Sequence, residues 1–581
     1  MHNTNIFLLE NLIQAFVLKC EKEARKMSDF LYVDCEKLWD LGAPNWLSFS
    51  DSPGVLISNT QGTAELYAPE INWYLKVSKA KKEERLATLH RLYEARAIKF
   101  DHDTRQNYEE RVASTLLVMG GDSPAAGEFG ALASEEGFSV ELIPYEEIAR
   151  IEGKLGAFSA FMHDGSERIF AQGVLFCEDE FLAKYMGIER VSDYEDAREL
   201  LATLKNRLGI YRYKTIISYD PDVCQYHHRR EETCAKCASL CPTFGVVCED
   251  SRRELHFSQL DCIGCGDCVA ACPSGAIDYA PYPKEAFYEV ARLYSDTTLL
   301  VIPEPFLKDL EEISLPAGIA PLIIDREKFL SELHFLTLLQ KSGSSMIFYS
   351  PALSHPSEEA IVMLNEIYER AYQKRGIYTA RTIPELLEAF LEVGAIEGSR
   401  YRYNATPSEM RRKSFGERLR YVVKDRELGR IPSGELIRYG EISIDSSKCT
   451  LCLSCVGACN ARALSANANT FTLDFNASLC TTCGYCVLSC PEDAMMLEPK
   501  GINLAPSWFE RRVLAKDEMF KCVECGKPFA TKKSVQKIKE MITPLFAGND
   551  FKLKSLECCP DCKVKVMMGF SEAAAAAGVG R

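Results

Sequence analysis

The chain has few of the features that announce an enzyme. It contains no P-loop, no H-E-x-x-H pair and no G-x-S-x-G elbow, so the usual residue sets for phosphoryl transfer, zinc-dependent proteolysis and serine hydrolysis are missing. A C-x3-C-x2-C triplet is absent too. No apolar run is long enough to span a bilayer. The first apolar patches, at 6–9 and 12–18, are broken by Glu10, Asn11 and Gln14, and no basic region precedes them. Lys19 before Cys20 does not make a lipoprotein site, and no twin-arginine leader is present. The expectation is a cytoplasmic protein with no integral membrane segment. Positive charge is also short: 68 Lys and Arg stand against 83 Asp and Glu, a net charge of −15. That balance argues against binding nucleic acid or acidic lipid.

Cysteine, by contrast, is abundant, with 25 residues. Cys262, Cys265, Cys268 and Cys272 are followed by Pro273, giving C-x2-C-x2-C-x3-C-P. The run recurs as Cys480, Cys483, Cys486, Cys490 and Pro491. A third copy, Cys449, Cys452, Cys455 and Cys459, ends in Asn460 in place of proline. A fourth is stretched: Cys224, then Cys234, Cys237, Cys241 and Pro242. Zinc sites more often show two separated knuckles or mixed Cys and His ligands. Disulfides do not suit cytosolic thiols.

An apolar pair with one residue between precedes each first cysteine at a fixed distance. The pairs are Ile217 and Tyr219, Leu255 and Phe257, Ile442 and Ile444, and Leu473 and Phe475. Alternation of this kind predicts a short strand feeding each cysteine loop. The register puts Cys224 in the first slot and makes 225–233 an insertion after it. That insertion holds His227, His228, Arg229 and Arg230. It reads either as a solvated loop or as a place where a histidine replaces a ligand or tunes the site, with Cys248 as a competitor.

These runs resemble the ligand pattern of bacterial 4Fe–4S ferredoxins, in which the fourth cysteine of each run serves the other cluster. The resemblance implies four 4Fe–4S clusters in two pairs. Cys224, Cys234 and Cys237 would take Cys272, and Cys262, Cys265 and Cys268 would take Cys241. Cys449, Cys452 and Cys455 would take Cys490, and Cys480, Cys483 and Cys486 would take Cys459. An acidic surface would then suit docking on basic patches of redox partner proteins.

A further block carries C-x2-C at Cys522 and Cys525, then Cys558, Cys559 and Cys562 far downstream. Two such knuckles look like a zinc ribbon or a rubredoxin-like site. Cys522, Cys525, Cys559 and Cys562 are the expected ligands and Cys558 a spare. The spacing fits one zinc and equally a single iron.

The fold class expected is multidomain α+β and α/β. It comprises two ferredoxin-like 2×(4Fe–4S) modules at 211–285 and 439–500, Rossmann-like α/β segments at 111–210 and 286–400, and a zinc ribbon at 515–570. An irregular and helical region at 1–110, a basic helical linker at 401–438 and a disordered alanine-rich tail at 571–581 complete it. At 113–119 a buried strand meets Gly120 and Gly121, then a helix over 124–136 and a strand over 139–143. The G-x-G-x-x-G fingerprint fails there. Asp122 would set negative charge where a pyrophosphate should lie, and reads better as a helix cap. The domain is therefore expected to hold no cofactor, with FAD or NAD as the alternative. The linker (Arg411, Arg412, Lys413, Arg418, Arg420, Lys424, Arg426, Arg430) reads as a solvated helix with internal charge pairs, or as a docking surface for an acidic partner.

The order of segments is loosely similar to electron-transfer subunits of heterodisulfide reductase, hydrogenase and formate dehydrogenase systems. The resemblances together imply a polyferredoxin: a non-catalytic subunit carrying single electrons between partner oxidoreductases such as formate dehydrogenase or hydrogenase. The alternatives are an accessory factor in assembling a metalloenzyme, and a flavin-containing oxidoreductase subunit.

Overall fold

The computed structural model describes residues 30–31, 47–48 and 55–576, less 122, 404–408 and 547, with side chains described to residue 569. Two parallel four-stranded sheets organise it. The first runs Ile188–Arg190, Gln172–Leu175, Thr115–Met119, Ser139–Ile143. Its central strand alternates: Leu116 and Val118 pack on the helices Pro124–Glu135 and Ala197–Lys205, while Leu117 and Met119 pack on an antiparallel sheet through Phe158 and Phe170. Burial on both faces explains its unbroken apolar run.

The glycine turn of this unit is spent internally. Gly120 N and Gly121 N both donate to Ile143 O, at 2.9 and 3.1 Å. Gly120 has φ +112°, and a Cβ there would lie 2.8 Å from Phe176 Cβ. The helix N-cap is Ser123; Asp122 lies outside the described residues.

The second sheet runs Ile319–Ile324, Thr298–Pro303, Met346–Tyr349, Ile377–Ala380, again all parallel. Leu299 and Val301 face one core and Leu300 and Ile302 the other. Residues 57–101 do not stand apart as the sequence division suggests. The helices Pro69–Val77 and Lys82–Asp101 cover this sheet with Trp73, Tyr74, Leu89 and Leu92. Trp73 Nε1 donates to Leu310 O at 2.9 Å.

The arginine-rich segment is also corrected. Helix Arg411–Val423 is not solvated: Phe415, Leu419, Val422 and Val423 are buried, and so are Arg411, Arg412 and Arg418. It lies in one continuous core with both cysteine-run modules and the 298–380 sheet. Desolvating an arginine costs several kcal/mol, and the helix offsets this with charge-assisted hydrogen bonds worth about 1.5–3 kcal/mol each. Arg411 donates to the carbonyls of Val269, Ala270 and Cys272, and Arg412 to that of Arg438.

The alanine-rich tail differs as well. Helix Pro560–Ala576 continues through most of it, because alanine is the strongest helix former; 577–581 lie outside the described residues.

Candidate metal centres

All four cysteine loops share one local geometry. The expected strands are present as Ile217–Tyr219, Glu254–Phe257, Glu441–Ile444 and Thr472–Phe475. Strand Ile217–Tyr219 pairs antiparallel with Ile277–Tyr279, and Glu441–Ile444 with Met495–Glu498. Each module's first strand thus closes on its last. The residue after every second cysteine is left-handed: Ala235 (φ +79°), Gly266 (+94°), Leu453 (+64°) and Gly484 (+78°). Each starts a single helical turn (Lys236–Leu240, Asp267–Ala271, Ser454–Ala458 or Tyr485–Leu488) that ends at or just before the fourth cysteine. The left-handed residue reverses the chain so that the second and third thiols turn to the same side. Ala235 and Leu453 hold this conformation against steric preference. The stretched copy therefore enters the repeat with Cys234 and Cys237 in the second and third slots.

The thiols group across runs. Cys224, Cys234, Cys237 and Cys272 line one cavity, and Cys459, Cys480, Cys483 and Cys486 another. Cys248 lies outside the first cavity, in strand Val246–Glu249. The other two groups show in how the thiols oppose each other's ionisation. Burial, then Cys265 and Cys241, push the Cys262 thiol up to about 11. Burial, then Cys452, Cys449 and Cys490, push Cys455 up to about 12. Backbone N–H groups point at sulfur: Tyr226 N to Cys224 Sγ at 3.4 Å, Thr482 N to Cys480 Sγ at 3.3 Å, and Ala494 N to Cys490 Sγ at 3.4 Å.

Buried thiols that resist ionisation together are a donor set for a cationic centre, which deprotonates its ligands outright. Their spacing selects the kind of centre. Among the described residues, no three of these sixteen sulfurs lie within 4.8 Å of one another. A tetrahedral zinc with Zn–S of about 2.3 Å would gather its sulfurs to about 3.8 Å apart. The residues fit a larger, multi-iron group.

The C-terminal block behaves in the opposite way. Cys522, Cys525, Cys559 and Cys562 have their sulfurs all within 4.8 Å of one another, the span of a single ion. Cys522 and Cys525 sit in the turn between strands Met519–Lys521 and Pro528–Thr531. Cys559 and Cys562 sit at the start of helix Pro560–Ala576. Cys558 stays outside the set, its thiol donating to Lys554 O at 3.3 Å. Burial pushes the Cys522 thiol up, but N–H groups of Cys559, Cys525 and Glu524 outweigh it and bring it to about 6.

Comparison with known proteins reaches two of these segments. A family of 4Fe–4S dicluster domains matches residues 441–492, and a family of 4Fe–4S binding domains matches 256–278. This chain is polyferredoxin-like. It is similar to "Electron transport protein HydN" of Escherichia coli strain K12, and to the proteins of that name from strains O6:H1 and O157:H7. Each is 43% identical over 49 residues, which is 8% of this chain and 27% of the relative. The likeness thus spans about a quarter of those relatives' length.

The insertion 225–233 is a docking element. Arg229 Nη1 donates to Ala458 O at 2.9 Å, and its guanidinium lies 4.6 Å from the Tyr485 ring centroid. His228 Nε2 lies 3.0 Å from Glu254 Oε1. Neither histidine lines the Cys224 cavity. Sequence reasoning missed two kinds of residue here. The first is the buried arginines, for which it held no signal. The second is the pair Gln225 and Asn460, whose one signal was the missing proline.

Proposed function

We propose that this protein conducts single electrons between partner oxidoreductases through four 4Fe–4S clusters, ligated as two exchanged pairs. The observation that carries the reading is the fourfold loop. Each loop presents three thiols to one side and is joined by a fourth from the neighbouring run of its module. Bound there, each cluster supplies a one-electron redox site. The chain's own part is to hold the thiols, aim backbone N–H groups at sulfur and exclude water. N–H donation to sulfur and burial are the levers that set potential.

The two groups joined at the module boundary are inner, and the groups of Cys262 and Cys449 are outer. Ile263 is 56% exposed and Cys452 and Leu453 are exposed, so both outer loops reach the surface where partners dock. Hydrogenase- or formate-dehydrogenase-type enzymes are the proposed partners. We assign one zinc to Cys522, Cys525, Cys559 and Cys562 as a structural site, with a single iron as the alternative. The inward-bonded amides of Gly120 and Gly121 support reading 111–210 without a nucleotide or flavin.

The test is anaerobic purification with iron, sulfide, zinc and flavin analysis, and EPR of the reduced protein. Iron and sulfide equal to four cubes, one zinc and paired magnetic interactions are expected. Protein replete with zinc but lacking acid-labile sulfide would overturn the reading.

A further inference from the structure

We infer that Asn460, bonded to the Cys224 carbonyl and held in place by Gln225, is the electrical junction between the two modules, an inference that rests on the cluster assignment above. Two departures from the ferredoxin pattern meet at this point. One is the stretched run, which begins its insertion at Gln225. The other is Asn460, which occupies the slot filled by Pro242, Pro273 and Pro491 in the other runs. Proline there has neither an N–H nor a polar side chain. Asn460 Nδ2 donates to Cys224 O at 3.0 Å, and Asn460 Oδ1 accepts from Gln225 Nε2 at 2.7 Å. Gln225 is 3% exposed and lines both the Cys224 cavity and the Cys480 cavity.

The consequence is a nearly covalent path. From Cys224 Sγ it follows the cysteine to its carbonyl, crosses one hydrogen bond to the Asn460 amide, and follows the backbone to Cys459 Sγ. Only one gap is non-bonded. Tunnelling decays more slowly through bonds than across space, so this is the favoured crossing. Arg229 and Arg230 hold it closed: Arg229 by its bond to Ala458 O and its stacking on Tyr485, Arg230 through its backbone N–H to the Tyr485 hydroxyl at 3.4 Å. In each transfer one electron leaves the Cys224 side and one arrives on the Cys459 side. No bond forms or breaks, and no proton moves. The donor and acceptor are the two inner clusters.

The test uses full-length anaerobic protein carrying Asn460→Pro, which restores the proline, or Asn460→Asp, which keeps the acceptor for Gln225 but loses the donor to Cys224 O. Three readouts are needed: iron and sulfide per chain, EPR during stepwise reduction, and the rate at which the modules equilibrate after flash reduction. Full iron is expected. The EPR signals should match those of the wild type, showing the clusters in place, and equilibration should slow severalfold, because an open gap replaces the hydrogen-bonded link. Iron-replete variants that equilibrate at the wild-type rate would overturn the junction. Should the proline variant lose iron, the isosteric aspartate carries the same test. A wild-type protein short of iron and sulfide would instead sink the underlying cluster assignment.

Discussion

Arg411 Nη1 donates to the backbone carbonyl of Cys272 at 2.5 Å, from a helix that begins far along the chain from that cysteine. The same guanidinium reaches Ala270 O at 3.0 Å and Val269 O at 2.6 Å. It therefore caps the C-terminus of helix Asp267–Ala271, where free carbonyls concentrate negative potential. The cap also fixes the loop that presents Cys272 to the thiols of Cys224, Cys234 and Cys237.

Replacing Arg411 by Ala should destabilise the protein by about 3–5 kcal/mol, since it strands the buried carbonyls of Ala270 and Cys272 and leaves that of Val269 only the Cys272 N–H. The effect should be local first. The cluster assigned to Cys272 should be lost ahead of the others, lowering iron by the content of one cube. Iron analysis and denaturant unfolding check this; uniform loss of iron from all sites would contradict it.

Arg412 has a different task. Its guanidinium lies 3.6 Å from the Tyr439 ring centroid, and it is among the charges acting on the Cys480 thiol. A cation near a centre favours the state with the added electron. Arg412→Met should lower one midpoint potential by roughly 50 mV, corresponding to about 1 kcal/mol at an effective dielectric near 20. Arg412→Lys should restore most of it. Potentiometric EPR decides the matter, and an upward shift would contradict the sign.

Much of the site was legible because its determinants are local. The apolar pair before each first cysteine and the spacing within each run lie inside one strand and one loop, so four repeats could be aligned without the fold. The stretched copy was placed by the same register. What was not legible depends on partners distant in sequence. Arg411, Arg412 and Arg418 have the charge pattern of a solvated helix, and nothing local says that carbonyls of Val269, Cys272 and Arg438 await the first two. Trp73 and Leu89 gave no sign of the sheet near Leu300. Asn460 was visible as an exception, but its meaning appears only beside Cys224 O and Gln225.

At the C-terminal site the ligands separate from the spare cysteine. Cys559→Ser should release the zinc proposed for this site, because three thiolates hold zinc far more weakly than four. Metal binding contributes about 10–16 kcal/mol in small zinc domains, so its loss should unfold the hairpin and expose 519–576 to proteolysis. Cys558→Ser should keep the ion, since that thiol donates to Lys554 O and burial pushes it up to about 11. Zinc analysis and limited proteolysis check both. Ion loss in the Cys558 variant would mean that the ligand set is misassigned.

His334 should make stability depend on pH. Its Nδ1 accepts from Ser331 N at 3.0 Å in a capping box that opens helix Glu332–Ser342. Its ring packs edge-on against Phe287 and Phe329 at 4.6 and 5.7 Å. Burial, then the charge of Arg411, drive its pKa down to about 3. The folded protein thus keeps the ring neutral, while the unfolded chain takes up a proton near pH 6.5. Below that pH the unfolded state binds more protons, so this contribution is complete above about 6.5 and is lost as pH falls toward 3. Between pH 6.5 and 5 the loss should reach about 2 kcal/mol. In His334→Gln, which retains a capping-box side chain, that part of the slope should vanish. Denaturant midpoints measured across this window check it, and an unchanged slope would show that His334 is already protonated in the fold.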